Sequence, residues 1–267
     1  MSLTIRPATP DDYALYLQLL PELGVDDPPP SIERWRDEFV PNTHIAELNG
    51  APAGLVYTVT LAETGYVRNL IVAPSARRHG VGRALLEFVA SALRAQGKTG
   101  WALNVKPDNI AAIRLYEAMG MQRRYASVAL RLDWARVSEL PESPKRHARP
   151  VTPADDAALE RLFALAPGQV QGMRESKRVL LTLVDANDQL HALAAFNPSF
   201  PGSFPFRMTD PRLARALLEA MRPHALPGAT YVNLVVEDDE ALAVLLRSHG
   251  AQVRMNIDHY AGPLDTR

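Results

Sequence analysis

The chain has 267 residues, 47% hydrophobic and 22% charged, with a formal net charge of −1. That length holds two ordinary domains or one large one, and the near-neutral balance offers no global basic field for nucleic acid or an anionic membrane. The absence of cysteine excludes disulfides, thiolate metal sites and a covalent acyl-cysteine intermediate. No stretch approaches the roughly 18 apolar residues of a membrane span, and the first residues carry no signal-peptide core, so a soluble, cytoplasmic protein is expected.

In chain order, residues 3–6 read as a strand and 11–20 as a helix after Thr9-Pro10. A Pro-rich loop over 21–30 contains Asp26-Asp27, and a short helix is expected over 32–39. Strands over 44–48 and 54–61 flank Asn49-Gly50, a strong hairpin signal. Residues 66–72 form an apolar, β-branched strand that runs into a turn of arginines and glycines. The helix that follows carries Val81, Leu85, Val89 and Leu93 at fourfold spacing, a sheet-packing face. Residues 101–105 read as another strand, then Asp108 caps a helix that stops at Gly120. Residues 122–132 make a last strand, and the polar, Pro-containing stretch 138–147 reads as a linker.

The strand–turn–helix around residue 77 builds an anion site. Backbone N–H groups at a helix start lack intrahelical partners and attract phosphate oxygens. Gly80 and Gly82 remove side chains that would keep a diphosphate from the main chain, and Arg77, Arg78 and Arg83 add charge there. His79 and Val81 contribute as loop residues, through their backbone N–H groups. A Walker loop is excluded because no Lys follows Gly82, and a dinucleotide fingerprint because position 85 is Leu. In the later helix, Asn109, Ala112 and Tyr116 share one face. The seven histidines show no paired metal spacing, and no metal site is expected.

Arg77-x-x-Gly80-x-Gly82 after a strand, followed by Asn109-x-x-Ala112-x-x-Leu115-Tyr116-x-x-x-Gly120, resembles the two cofactor motifs of the GCN5-related N-acetyltransferase (GNAT) superfamily over residues 1–133. The resemblance implies an α/β (α+β) fold, a mixed, mainly antiparallel sheet flanked by helices, with acetyl-CoA as co-substrate. It implies that pantetheine pairs along Leu70, Ile71 and Val72, that Asn109 holds the pantetheine arm or positions a water, that Ala112 belongs to the cofactor-binding motif, and that Tyr116 protonates the leaving thiolate. It also implies transfer to a small-molecule or peptide amine. The chain departs from the family where many members carry an acid, offering Arg68-Asn69 instead. Glu63, and secondly Glu47, are the carboxylates expected to relay a proton through water; alternatively the amine deprotonates in solvent. Glu22, Glu33 and Asp26-Asp27 fall in the region that usually covers the acceptor site.

After the linker the chain repeats itself. Arg149-Pro-Val-Thr-Pro-Ala-Asp-Asp156 echoes Arg6-Pro-Ala-Thr-Pro-Asp-Asp12, and Arg215-Ala-Leu-Leu-Glu219 echoes Arg83-Ala-Leu-Leu-Glu87. Two tandem domains follow: 1–136 with the CoA motifs, a linker over 137–147, and a degenerate copy over 148–267. The second copy has no Arg-x-x-Gly-x-Gly, and Asp239 and Leu246 stand for Asn109 and Tyr116. Two other readings use the same residues: a catalytically silent acyl-CoA-binding or interaction module, and a tandem acetyltransferase of the mycothiol synthase type.

Overall fold

The structure, a computed structural model, describes residues 2–24, 29–61, 63–142, 144–176 and 178–264. The elements in order are β1 Leu3–Pro7, α1 Tyr13–Leu19, α2 Ile32–Arg34, β2 Thr43–Leu48, β3 Ala51–Leu61, β4 Thr64–Val72, α3 Val81–Ala95, β5 Gly100–Val105, α4 Ile110–Ala118 and β6 Gln122–Asp133. They continue as β7 His147–Pro150, α5 Asp156–Leu162, α6 Gln169–Glu175, β8 Val179–Val184, β9 Ala192–Asn197, β10 Gly202–Met208, α7 Ala214–Met221, β11 Tyr231–Glu237, α8 Glu240–Ser248 and β12 Gln252–Pro263. The chain forms two compact units, residues 1–124 with 258–267, and residues 125–257.

In the first unit β1 to β5 lie side by side in sequence order, antiparallel except for the parallel pair β4–β5. Asn49 and Gly50 turn the β2–β3 hairpin with φ of 53° and 81°, the left-handed pair that a two-residue hairpin needs. Strand alternation sends Val56, Val67, Trp101 and Leu103 to one face, against Val81, Leu85, Val89 and Leu93 of α3. Ile45, Leu55 and Ile71 go to the other face, against Tyr16, Trp35 and Phe39. Both faces are covered, as the sequence pattern requires.

The edge of this unit differs from the sequence expectation. Residues 258–263 of β12, not residues 122–132, pair antiparallel with β5, from Asp258↔Val105 to Pro263↔Gly100. Tyr260 and Leu264 join the core beside α3 and α4. In the second unit, residues 127–133 of β6 pair with β11, and Leu130 and Leu132 lie in that unit's core. The expected boundaries of 1–136, 137–147 and 148–267 are therefore not those of the compact units. Val137 and Leu140, expected in the linker, are buried in the second core. The physical reason is the duplication: β6 and β12 are both twelve residues long and both follow a helix and a glycine.

The repeat is also visible at atomic level. Arg6 grips Asp12 with two hydrogen bonds of 2.8 Å, and Asp12 accepts the Thr9 backbone N–H at 2.7 Å. Arg149, Asp155 and Thr152 repeat this arrangement at 2.7, 2.9 and 2.8 Å. The Arg6 guanidinium first, aided by the Thr9 donors and opposed by burial, lowers the Asp12 pKa to about 2. Among the described residues no helix is long and apolar enough to cross a membrane.

Truncating Tyr260 tests the exchanged strand. Tyr260→Ala should destabilise the first unit by about 3 kcal/mol, the usual cost of removing a buried aromatic side chain. The loss should appear in urea denaturation and as faster amide exchange in β5. Unchanged β5 protection would contradict the strand assignment.

Candidate active site

The site begins where two parallel strands part. β4 and β5 are in register from Thr64↔Gly100 to Val67↔Leu103, and beyond Val67 β4 continues along β3 alone. The cause is a β-bulge. Thr58 faces Val67 while its neighbour Tyr57 faces Asn69, so Arg68 is an extra residue in β4. An extra residue bends a strand and raises its twist.

The bulge fixes which backbone groups stay open. Ala73 N–H donates to Ala53 C=O at 2.9 Å. Counting back by the antiparallel alternation, Ile71 and Asn69 bond to β3, while Leu70 and Val72 turn their N–H and C=O toward the opening. Ile71, grouped in the sequence reading with Leu70 and Val72, is committed to the ladder, and its side chain is buried in the α1–α2 core.

The loop after β4 presents further donors. Arg78 and Gly80 both have positive φ, 63° and 80°, and Gly80 starts α3 with no side-chain cap. Ala84 N–H returns to Gly80 C=O at 2.9 Å, which leaves the N–H groups of Val81, Gly82 and Arg83 ahead of the first intrahelical bond. A Cβ on Gly80 would meet nothing within 4 Å, so glycine there serves the backbone conformation. A Cβ on Gly82 would come within 3.2 Å of Leu115 and 3.5 Å of Val72. Glycine there lets α3 approach α4.

The loop side chains divide into two groups. Arg77 is exposed but engaged: its Nε donates to Val72 C=O at 3.3 Å and its guanidinium pairs with Glu22. It braces the loop rather than offering a free cation. Arg78 makes no ion pair among the described residues, and Arg83 approaches only Glu87, at 4.0 Å. The His79 Nδ1–H donates to Arg77 C=O at 2.8 Å, a local turn contact.

Asn109, not Asp108, caps α4, its side chain accepting the Ala112 N–H at 3.2 Å. The Asn109 side-chain oxygen is thus engaged within the helix start, and Ala112 sits partly buried beside the core. Tyr116, one turn on, is 6% exposed and makes no side-chain hydrogen bond among the described residues. Burial pushes its pKa up to about 12, so the phenol is a neutral donor at physiological pH.

The expected bases are not brought to this place. Glu63 is exposed at the closed end of the β4–β5 pair, its C=O taking the Thr99 N–H. Along the strand that is roughly 20 Å from Asn69 at about 3.3 Å per residue. Glu47 is held by Arg6 at 2.7 Å, Glu22 pairs with Arg77 and Glu33 is exposed on α2. Asp26 and Asp27 lie outside the described residues.

Sequence reasoning missed an aromatic wall on the other face. Tyr16 lies 4.9 Å from Trp35 and 5.5 Å from Phe39, and Phe39 stacks on Tyr57 at 4.3 Å between centroids. The Asn69 amide donates to the Tyr16 hydroxyl at 3.3 Å. The i, i+3 and i, i+4 spacings of Tyr13/Tyr16 and Trp35/Phe39 carry the signal. Gly54 was missed too: a Cβ there would sit 2.5 Å from Ile71 C=O.

In the second unit the equivalent opening is filled. β10 and β11 pair in parallel only at Gly202↔Asn233 and Ser203↔Leu234, and β10 is irregular between Ser203 and Phe206. Arg207 then reaches from β10 to β11, donating to the Glu237 C=O and carboxylate, both at 2.7 Å. Burial raises the Glu237 pKa, opposed by Arg207. The Asp210 carboxylate accepts the Arg212 N–H at 2.9 Å, placing an anion where the first unit presents open donors.

The first unit thus combines a mixed sheet with a parted parallel pair, an uncapped helix start beside the parting and a buried tyrosine on the next helix. Residues 12–121 match the family described as Acetyltransferase (GNAT) family. It is 38% identical over 72 residues to the [ribosomal protein bS18]-alanine N-acetyltransferase of Escherichia coli (strain K12), covering 27% of this chain and 49% of that protein. It is 29% identical over 92 residues to the L-2,4-diaminobutyric acid acetyltransferase of Nocardia farcinica (strain IFM 10152), covering 33% and 48%. The chain thus spans about half the length of these curated relatives. A solved tandem GNAT protein from the clavulanic acid biosynthesis pathway superposes with a TM-score of 0.59 at 19% identity, covering 100% of both chains. That likeness shows the tandem fold.

The raised Tyr116 pKa has a consequence for stability. A group whose folded pKa exceeds its unfolded value contributes stability that is complete below the unfolded pKa and lost as pH rises toward the folded one. Wild-type protein should therefore lose about 2 kcal/mol more than Tyr116→Phe between pH 10 and pH 12, measured by urea midpoints. Parallel pH curves for the two proteins would contradict the burial of an unpartnered phenol.

Proposed function

We propose that the first unit binds acetyl-CoA as co-substrate and transfers its acetyl group directly to a primary amine. The observation that carries this reading is the parting of β4 from β5 beside the uncapped start of α3. An extended amide-bearing arm needs main-chain partners such as those of Leu70 and Val72, and a diphosphate needs clustered N–H groups such as those of Val81, Gly82 and Arg83. Arg78 and Arg83 are the cations available to that diphosphate.

The amine nitrogen attacks the thioester carbonyl, and a main-chain N–H at the opening, near Val72, stabilises the oxyanion. When the C–S bond breaks, the electron pair leaves on sulfur and Tyr116 delivers its proton there. The nitrogen loses its proton to water. The phenol regains its proton from solvent after CoA departs. The enzyme's share is positioning and charge stabilisation.

We further propose that the second unit binds no CoA. Arg207 and Glu237 already bridge its strand opening, and Asp210 repels a diphosphate at its helix start. Amine acetylation in the cytoplasm, on a peptide or a small molecule, accords with the acceptors named for the two relatives.

A thiol-release assay with acetyl-CoA and a panel of primary amines tests the reading. Tyr116→Phe should lower kcat by about 10²-fold or more, the usual weight of a general acid, while acetyl-CoA affinity changes by less than about threefold, or 0.7 kcal/mol. Acetyl-CoA binding without turnover on any amine would instead support a silent binding module.

A further inference from the structure

On the α1–α2 side of the first unit's sheet lies a cation, Arg68, that forms no ion pair among the described residues. Val67, Leu70 and Val72 point to the α3 side of the sheet, while Ile71 points to the α1–α2 side. The bulge therefore places Arg68 and Asn69, adjacent in sequence, on the same side as Ile71 and Tyr66. Two contacts agree with that placement. The Arg68 guanidinium lies 5.2 Å from the centre of the Tyr66 ring, and the Asn69 amide reaches Tyr16 in the aromatic wall.

Three polar groups there are uncommitted among the described residues. Arg68 is exposed and forms no ion pair, the Tyr57 hydroxyl forms no hydrogen bond, and the Asn69 Oδ1 accepts none. Tyr57 is directly opposite Asn69 in the β3–β4 ladder. Arg68 is near enough to pull the Tyr57 phenol pKa down against the upward push of burial. The other charges felt at Tyr57 are Glu38 and Arg34, which pair with each other at 2.9 Å and so nearly cancel. A net positive charge remains, held on an aromatic ring beside the strand opening.

A simple amine, cationic before it reacts, gains nothing from such a charge. We infer that the acceptor is a free amino acid or close derivative, whose carboxylate is taken by Arg68 with the Tyr57 hydroxyl while Asn69 Oδ1 receives an N–H of the reacting amine. The inference rests on the acetyltransferase reading above and makes Arg68 a specificity-determining residue. A guanidinium suits the task because it binds a planar carboxylate in a two-point fork and keeps its charge at any working pH. The ring of Tyr66 holds it without neutralising it.

Steady-state acetylation of matched acceptors tests this directly: L-alanine against L-alaninamide and ethylamine, and L-lysine against lysinamide and cadaverine. In at least one set the carboxylate-bearing member should be preferred, and Arg68→Gln should raise its KM by about 10–100-fold, the worth of a charge-assisted hydrogen bond. The neutral members of that set should change by less than about twofold, and Arg68→Lys should recover part of the preference. Tyr57→Phe should weaken the same acceptor with little change in kcat. The inference is overturned if amides or decarboxylated amines are used as well as the acids in every set, or if Arg68→Gln slows all members alike. If no amine is acetylated, the acetyltransferase reading itself falls, and this inference with it.

Discussion

The extra residue in β4 is the constraint on which the candidate site depends. Without Arg68 in the β3–β4 register, β4 would stay beside β5 to its end and the main chain of Leu70 and Val72 would be spent in a ladder. With it, the strand turns away after Val67 and keeps its antiparallel partner on one side only. The same bulge sets Arg68 and Asn69 on a common face, so one local irregularity opens the strand pair and places two polar side chains on the opposite side of the sheet. The loop then has a short distance to cover before α3, and Arg77 spans it by holding Val72 C=O and Glu22 together.

The second unit is an internal control. It keeps the Arg–Thr–Asp clamp, the bulge and the brief parallel pairing, and its two strands part in the same way. What differs is the filling. Arg207 joins β10 to β11 across the opening by donating to the Glu237 C=O and carboxylate, and buried polar groups without partners are costly.

The parts legible in the sequence are those whose local chemistry marks the residue itself. Asn49-Gly50 and Gly80 answer to left-handed backbone, and Val81, Leu85, Val89 and Leu93 answer to helix periodicity. The duplication was legible because whole motifs recur. The strand exchange was not, since β6 and β12 carry interchangeable patterns and nothing local says which sheet each completes. Gly54 was silent because its reason is a carbonyl seventeen positions away, at Ile71. Glu63 misled because nearness in sequence to a strand's start is distance from its far end. Gly82 was read as clearance for a diphosphate, whereas its close neighbours are Leu115 and Val72.

Amide hydrogen exchange with and without acetyl-CoA tests the central claim, that the opening beyond Val67 is where the cofactor lies. The account predicts new protection at the Leu70 and Val72 amides and at Val81, Gly82 and Arg83. It predicts no change at Ile71, which is already bonded to β3, and none along β10. Binding that leaves Leu70 and Val72 unchanged, or that protects β10 instead, would contradict it.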